Sequence, residues 1–248
     1  MGSRPVTSAP AQAAGDAAAG DAVSLADGET VAPVDGQKRV VAVTGAASFL
    51  GRNLIGLLEE DPRVGRIIAL DVRAPDTRGP KTRVVEVDLT VPSSEERVTS
   101  ALAAEHADTL VHLAFGSSPT HATAWAHELE SVGTMHVLNA ARRVGPRKLV
   151  LWSQTILYGA HPTNPGFLTE RHPLRADVEE PFFADKMAAE REVSVFGAKS
   201  KATLVTILRT APILGPTIRN YITRYLAQGT VMTPVSYTHL TLPTILRV

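Results

Sequence analysis

Gly45 and Gly51 are the residues of this 248-residue sequence whose placement most clearly serves chemistry, because they bracket a break between an apolar run and an amphipathic one. Gly45 can take a tight, positive-φ turn, and Gly51 lets a helix approach a strand closely. Amides at the start of such a helix attract a diphosphate. Ser48 stands where the middle glycine of the usual three-glycine loop falls. Asp71 closes the next apolar run, 20 residues after Gly51. A carboxylate at that spacing accepts hydrogen bonds from ribose hydroxyls. Asp88 closes a third run, Val84 to Asp88. These residues together describe a dinucleotide cradle.

The elements around them must hold that cradle at a sheet edge. Val40, Val41, Ala42 and Val43 form a continuous apolar run, the pattern of a parallel strand buried on both faces. Leu50, Leu54, Leu57 and Leu58 fall on one face of a 3.6-residue period and predict a helix packed back on the sheet. Candidate strands lie near 39–44, 66–71, 82–88, 109–115, 147–153 and 203–209, with helices near 49–60, 94–106, 122–144 and 182–198. This alternation predicts an α/β protein with a doubly wound parallel sheet. Ligands in such folds bind beyond the strand C-terminal ends, an edge that carries Gly45, Asp71, Asp88, Ala114 and Ser153.

Lys+Arg and Asp+Glu both number 25, so no overall basic field favours nucleic acid or an anionic membrane. There is no cysteine, which excludes a disulfide framework, a thiolate nucleophile and a cysteine-based metal site, and fits a cytoplasmic location. No run of 18 apolar residues predicts a membrane span. No metal site is read from the sequence. Residues 1–37 are rich in Ala, Gly, Asp, Ser and Pro and are expected to form a disordered tail, or alternatively an interaction arm.

Five motifs occur in order: Thr44 to Gly51, Val111-His-Leu-Ala114, Leu157-Tyr-Gly159, Asp185-Lys186 with Glu190, and Leu208 to Pro216. Together they resemble the extended short-chain dehydrogenase/reductase family, in its NAD-dependent epimerase/dehydratase branch. The resemblance covers about 39–233. It implies a Rossmann domain that binds NAD or NADP, with a C-terminal lobe for a small-molecule substrate, often a nucleotide sugar. By position, Gly45, Ser48, Phe49, Leu50 and Gly51 would form the pyrophosphate turn, Asp71 would hold the adenosine ribose, and Asp88 and Leu89 the adenine. Leu113 and Ala114 would back the centre of the cofactor. His112 belongs to that strand signature and reads as a packed core histidine. Asp71 favours NAD, since a carboxylate repels a 2′-phosphate, while Arg73 leaves NADP open.

Catalysis in the family rests on a tyrosine four residues before a lysine, with a serine or threonine after the fifth strand. Lys186 is present and would also bond the nicotinamide ribose, but Phe182 occupies the tyrosine position. The hydroxyl position falls on Gln154, flanked by Ser153 and Thr155, either of which a one-residue shift would restore. Tyr158, His161, Glu170 and Asp185 are candidate substitute bases. Three readings therefore stand: an enzyme with a substitute base, a dinucleotide-binding sensor or scaffold without turnover, and a cofactor-free structural domain. The patterns from about 121 to 143 and after Phe182 resemble the helices through which family members pair. Leu129, Val132, Met135, Val137 and Leu138 would serve a homodimer or only the sheet.

Residues 235–244 resemble the translation of a transposon-derived sequencing adapter, followed by three index-dependent codons and Val248. The expectation is an NAD(P)-binding domain over 38–234, a non-native tail over 235–248, and a substrate lobe largely missing. Ile213, Leu214, Ile222 and Leu226 would then be left without their partner.

Overall fold

The computed structural model describes residues 38–215, 217–228 and 230. The expected tail over 1–37 and the segment over 235–248 lie outside the described residues. Six strands form one sheet: β1 (Arg39–Thr44), β2 (Val64–Asp71), β3 (Thr82–Glu86), β4 (Thr109–His112), β5 (Lys148–Gln154) and β6 (Leu204–Thr210). All pairs are parallel, in the order β3-β2-β1-β4-β5-β6. Strand order reverses between β1 and β4, which opens a crevice at their C-terminal ends.

Helices α1 (Phe49–Glu60), α2 (Ser94–Ala104), α4 (Gly133–Val144) and α5 (Pro181–Lys199) cover the faces, joined by short α3 (Thr123–His127) and α6 (Tyr221–Leu226). The apolar run of β1 is continuous because both its faces are covered. Val41 and Val43 pack with Ile55 of α1, whereas Ala42 packs with Val98, Leu102, Val137 and Val193 of α2, α4 and α5. One strand thus separates two cores. The sheet, helices and strand bounds agree with the sequence pattern to within a few residues, apart from α6 and two irregular turns.

The first irregular turn is a π-helical segment, Glu128–Val132, set between α3 and α4 in one unbroken helical stretch. The Gly133 amide bonds back to the Glu128 carbonyl, five residues away. Such wide turns are rare and re-aim a side chain. The second is a 3₁₀ turn, Thr155–Tyr158, directly after β5. Of the apolar residues expected to be left bare, Leu214 and Leu226 are more than half exposed. No described helix is long and apolar enough to cross a membrane.

Candidate functional site

β1 ends at Thr44, and Gly45 turns the chain with φ of 68°. A Cβ on Gly45 would lie 2.8 Å from backbone atoms of Leu113 and Ala114. A Cβ on Gly51 would collide with the Gly45 carbonyl oxygen. Both positions therefore demand glycine for space, and Gly45 for backbone conformation as well. Ser48 caps α1, its hydroxyl accepting from the Gly51 amide at 3.0 Å. That bond occupies the third amide of the helix. The amides of Phe49 and Leu50, at the first two helical positions, have no acceptor within the helix and present their N–H groups at its mouth.

Asp71 faces this turn from the end of β2. Its Oδ2 accepts from the Ala47 amide at 2.9 Å, and its Oδ1 from the Arg73 amide at 3.3 Å. The acid and the glycine loop are therefore parts of one assembly. A cavity of about 470 Å³ lies over them. It brings together Gly45, Ser48, Asp71, Asp88, Leu89, Leu113 and Ala114, seven of the residues read from the sequence as a cofactor cradle. Asp88 Oδ1 also accepts from the amide and hydroxyl of Thr90, which fixes its carboxylate at the rim. Trp125 lines the same cavity and is half exposed, an aromatic surface that no sequence motif had indicated.

A second cavity, about 340 Å³, adjoins the first through shared Ser48, Leu113 and Phe115. Phe49 and Leu50 line this one, as do Trp152 and Gln154. Gly51 lines neither cavity and serves the close approach of helix to turn. The fit to a dinucleotide rests on this form: a turn too tight for any Cβ, helix amides at its mouth, and an acid at one end.

The catalytic assignments fare differently. Lys186 is buried, and its Nζ donates to both oxygens of Glu130 at 2.6 and 2.7 Å. Glu130 comes from the π-helical turn, is also buried, and accepts from the Gly116 amide at 2.8 Å. Burial pushes the Glu130 carboxyl up and the Lys186 ammonium down, each opposed by the partner's charge. The same Nζ sits 4.2 Å from the centre of the Phe182 ring, a cation–π contact. Lysine at this position is therefore held by a carboxylate and an aromatic face. Glu130 went unnoticed in the sequence; its only signal was an acid on the inward side of an otherwise apolar helix face.

Ser153 and Thr155, the two hydroxyl candidates, each have a hydrogen-bond partner within the protein. Ser153 Oγ donates to Glu190 Oε2 at 2.6 Å, and Glu190 is bonded in turn by Arg209. Thr155 lines a separate groove beside β6 and donates to the Thr210 carbonyl at 3.3 Å. Strand alternation sets Trp152 and Gln154 on the wall of the second cavity, while Ser153 reaches Glu190 of α5 and borders only a small niche beside Lys186. The candidate substitute bases do not line either cavity of the cleft. Tyr158 accepts from Arg209 Nη1 at 2.9 Å, His161 donates Nε2–H to the Arg175 carbonyl, and Asp185 pairs with His127 at 2.6 Å. Glu170 is exposed beside β6.

His112 is a packed core residue, 1% exposed. The Thr134 hydroxyl donates to the Glu130 carbonyl and so accepts from His112 Nε2 at 3.0 Å, which leaves Nδ1 to accept from Thr44 at 2.6 Å. Burial lowers its pKa to about 3, so the ring is neutral. Of the apolar positions considered for a homodimer, Val137 and Leu138 are fully committed to the core, and Met135 is half exposed. Among the described residues, no three His, Cys, Asp or Glu gather as a metal site.

Residues 41–236 match the NAD dependent epimerase/dehydratase family, and the chain belongs to it. An uncharacterized protein of Mycobacterium tuberculosis is 32% identical over 202 residues, covering 79% of this chain and 53% of its own length. A 3-diazoavenalumate denitrifying reductase from a Streptomyces species is 31% identical over 182 residues, covering 71% of this chain and 57% of its own. The structure of MoeE5 in complex with UDP-glucose and NAD is similar with a TM-score of 0.57 and 27% identity, over 68% of this chain and 53% of that one. The chain spans about half the length of the curated relatives it matches.

Proposed function

We propose that this chain binds NAD along the two joined cavities. The adenosine lies beside Asp71 and Asp88, the diphosphate at the Phe49 and Leu50 amides, and the nicotinamide end in the second cavity. The observation that carries this reading is the coupling of Asp71 to the glycine turn through the Ala47 amide on the floor of one cavity. The MoeE5 structure, solved with NAD, supports it. NAD supplies a hydride acceptor when bound; the chain's own residues bind and orient it. The domain spans 38–234 and acts on a small molecule, a nucleotide sugar or a similar hydroxyl or carbonyl compound. A cytoplasmic location and a homodimer through α4 and α5 complete the reading, the latter supported by exposed Met135 and Val195.

Titration calorimetry with NAD, NADH, NADP and NADPH tests it. Binding of NAD in preference to NADP is expected from the Asp71 carboxylate. Silence from all four ends the reading.

A second reading is favoured by Phe182 and by the Glu130–Lys186 pair: the chain binds dinucleotide without turning it over. A phenyl ring carries no proton to transfer, and the lysine is engaged elsewhere. Nicotinamide absorbance that stays constant with UDP-glucose and with alcohols, despite measurable NAD binding, supports this version.

A further inference from the structure

Four polar side chains crowd the C-terminal end of β5, and three have partners. Ser153 donates to Glu190, Thr155 to the Thr210 carbonyl, and the Trp152 indole to Thr210 Oγ1 at 2.9 Å. Gln154 is the exception. Only 7% exposed, it makes no side-chain hydrogen bond with any described residue, yet neither of its amide atoms is sealed from the cavities around it. Its amide therefore takes its hydrogen-bond partners from whatever fills those cavities, water or a ligand.

Gln154 borders two spaces. One is the 340 Å³ cavity; the other is a niche of about 10 Å³, which it shares with Ser153, Lys186, Leu151 and the rings of Phe115 and Trp152. That volume accommodates about one water-sized group. In the larger cavity Gln154 stands beside the rings of Phe115 and Trp152 and the apolar side chains of Leu113 and Ile213, a lining suited to a flat ring bearing an amide-like substituent.

We infer that Gln154 recognises the carboxamide of the nicotinamide ring. This rests on the dinucleotide reading above. The glutamine amide offers an acceptor and a donor side by side, and a primary carboxamide offers the complementary pair. Direction agrees as well. A dinucleotide with its ribose at Asp71 and its diphosphate at the mouth of α1 has its other end in the cavity beyond Ser48 and Leu113, which Gln154 lines. Gln154 is thus a recognition residue at the position where the family resemblance places a catalytic hydroxyl.

Calorimetry on the 248-residue chain tests this with three probes: NAD, ADP-ribose, which lacks the ring, and 3-acetylpyridine adenine dinucleotide, which keeps the carbonyl but not the amide N–H₂. The unmodified chain should bind NAD about 5- to 10-fold more tightly than the acetylpyridine analogue, as one lost hydrogen bond implies. Gln154→Met should weaken NAD about tenfold, leave ADP-ribose within about twofold, and erase the preference between NAD and its analogue. Equal binding of NAD and the analogue by the unmodified chain overturns the inference without any variant. So does a parallel loss of NAD and ADP-ribose in Gln154→Met. If ADP-ribose binds while Gln154 proves indifferent, only this inference falls; if neither NAD nor ADP-ribose binds, the cleft reading falls with it.

Discussion

Lys186 donates to both carboxylate oxygens of Glu130, and neither side chain is more than 5% exposed. One partner comes from the second turn of α5 and the other from a π-helical turn 56 residues earlier. The pair sits beside Phe182, with Lys186 bordering the small niche that Gln154 shares. Its consequence is chemical: the lysine that the family resemblance assigns to lowering a tyrosine's pKa here balances an acid, and the tyrosine position holds a phenyl ring.

Glu130→Gln should leave a buried ammonium without its counter-charge and cost about 3–5 kcal/mol of stability. Replacing both partners by apolar residues, Glu130→Leu with Lys186→Met, should cost far less. Urea denaturation of the three variants gives the comparison, and equal losses from single and double changes contradict the account.

His112 makes stability depend on acid. Its pKa is held at about 3 by burial, against 6.5 in the unfolded chain. Between those values the unfolded chain binds a proton that the native ring refuses, so stability rises with pH. The contribution is complete above pH 6.5 and is lost on descending toward 3, on the order of 5 kcal/mol across the window. His112→Gln should flatten that part of the denaturation midpoint against pH.

Gly45→Ala sets a side chain at φ of 68° and drives its Cβ to within 2.8 Å of the Leu113 and Ala114 backbone. A loss of at least about 2 kcal/mol is expected, together with loss of NAD binding, because the turn must shift. Thermal denaturation and calorimetry on the same sample report both effects.

Asp71→Asn keeps the shape of the side chain and removes its charge. NAD affinity should fall roughly 10- to 100-fold, the range for a hydrogen bond to a charged group, while NADP is affected less. An unchanged ratio of NAD to NADP affinity would count against the ribose role.

Phe182→Tyr adds a hydroxyl at the ring's edge, whereas Lys186 Nζ lies over its face and is bonded to Glu130. The new phenol should titrate near the ordinary tyrosine value of about 10 and bring no gain in hydride transfer. Ultraviolet titration showing a phenol well below that value would mean that the lysine had left its partner.

The sheet and the glycine-turn half of the cleft were legible because they rest on local rules. Continuous apolar runs mark strands covered on both faces, and Gly45, Gly51 and Asp71 stand at spacings that one turn dictates. The catalytic half was less so. Which of Ser153, Gln154 and Thr155 faces the cleft depends on a single step of strand alternation and on the 3₁₀ turn that follows. Glu130 was missed because a 3.6-residue period does not foresee a wider turn. Partners such as Glu190 for Ser153 and Thr210 for Thr155 are long-range, and no local pattern announces them.

The five residues Glu128–Val132 set the local pitch of a helix. One residue more or fewer there would rotate everything beyond it by about 100° around the helix axis, swinging Glu130 out from under Lys186 or pulling Val137 and Leu138 out of the core. Length in this short segment is therefore constrained more tightly than identity. Among related sequences, an unchanged spacing from Glu130 to Gly133 should travel with an acid at the first of these positions and a phenyl ring at 182.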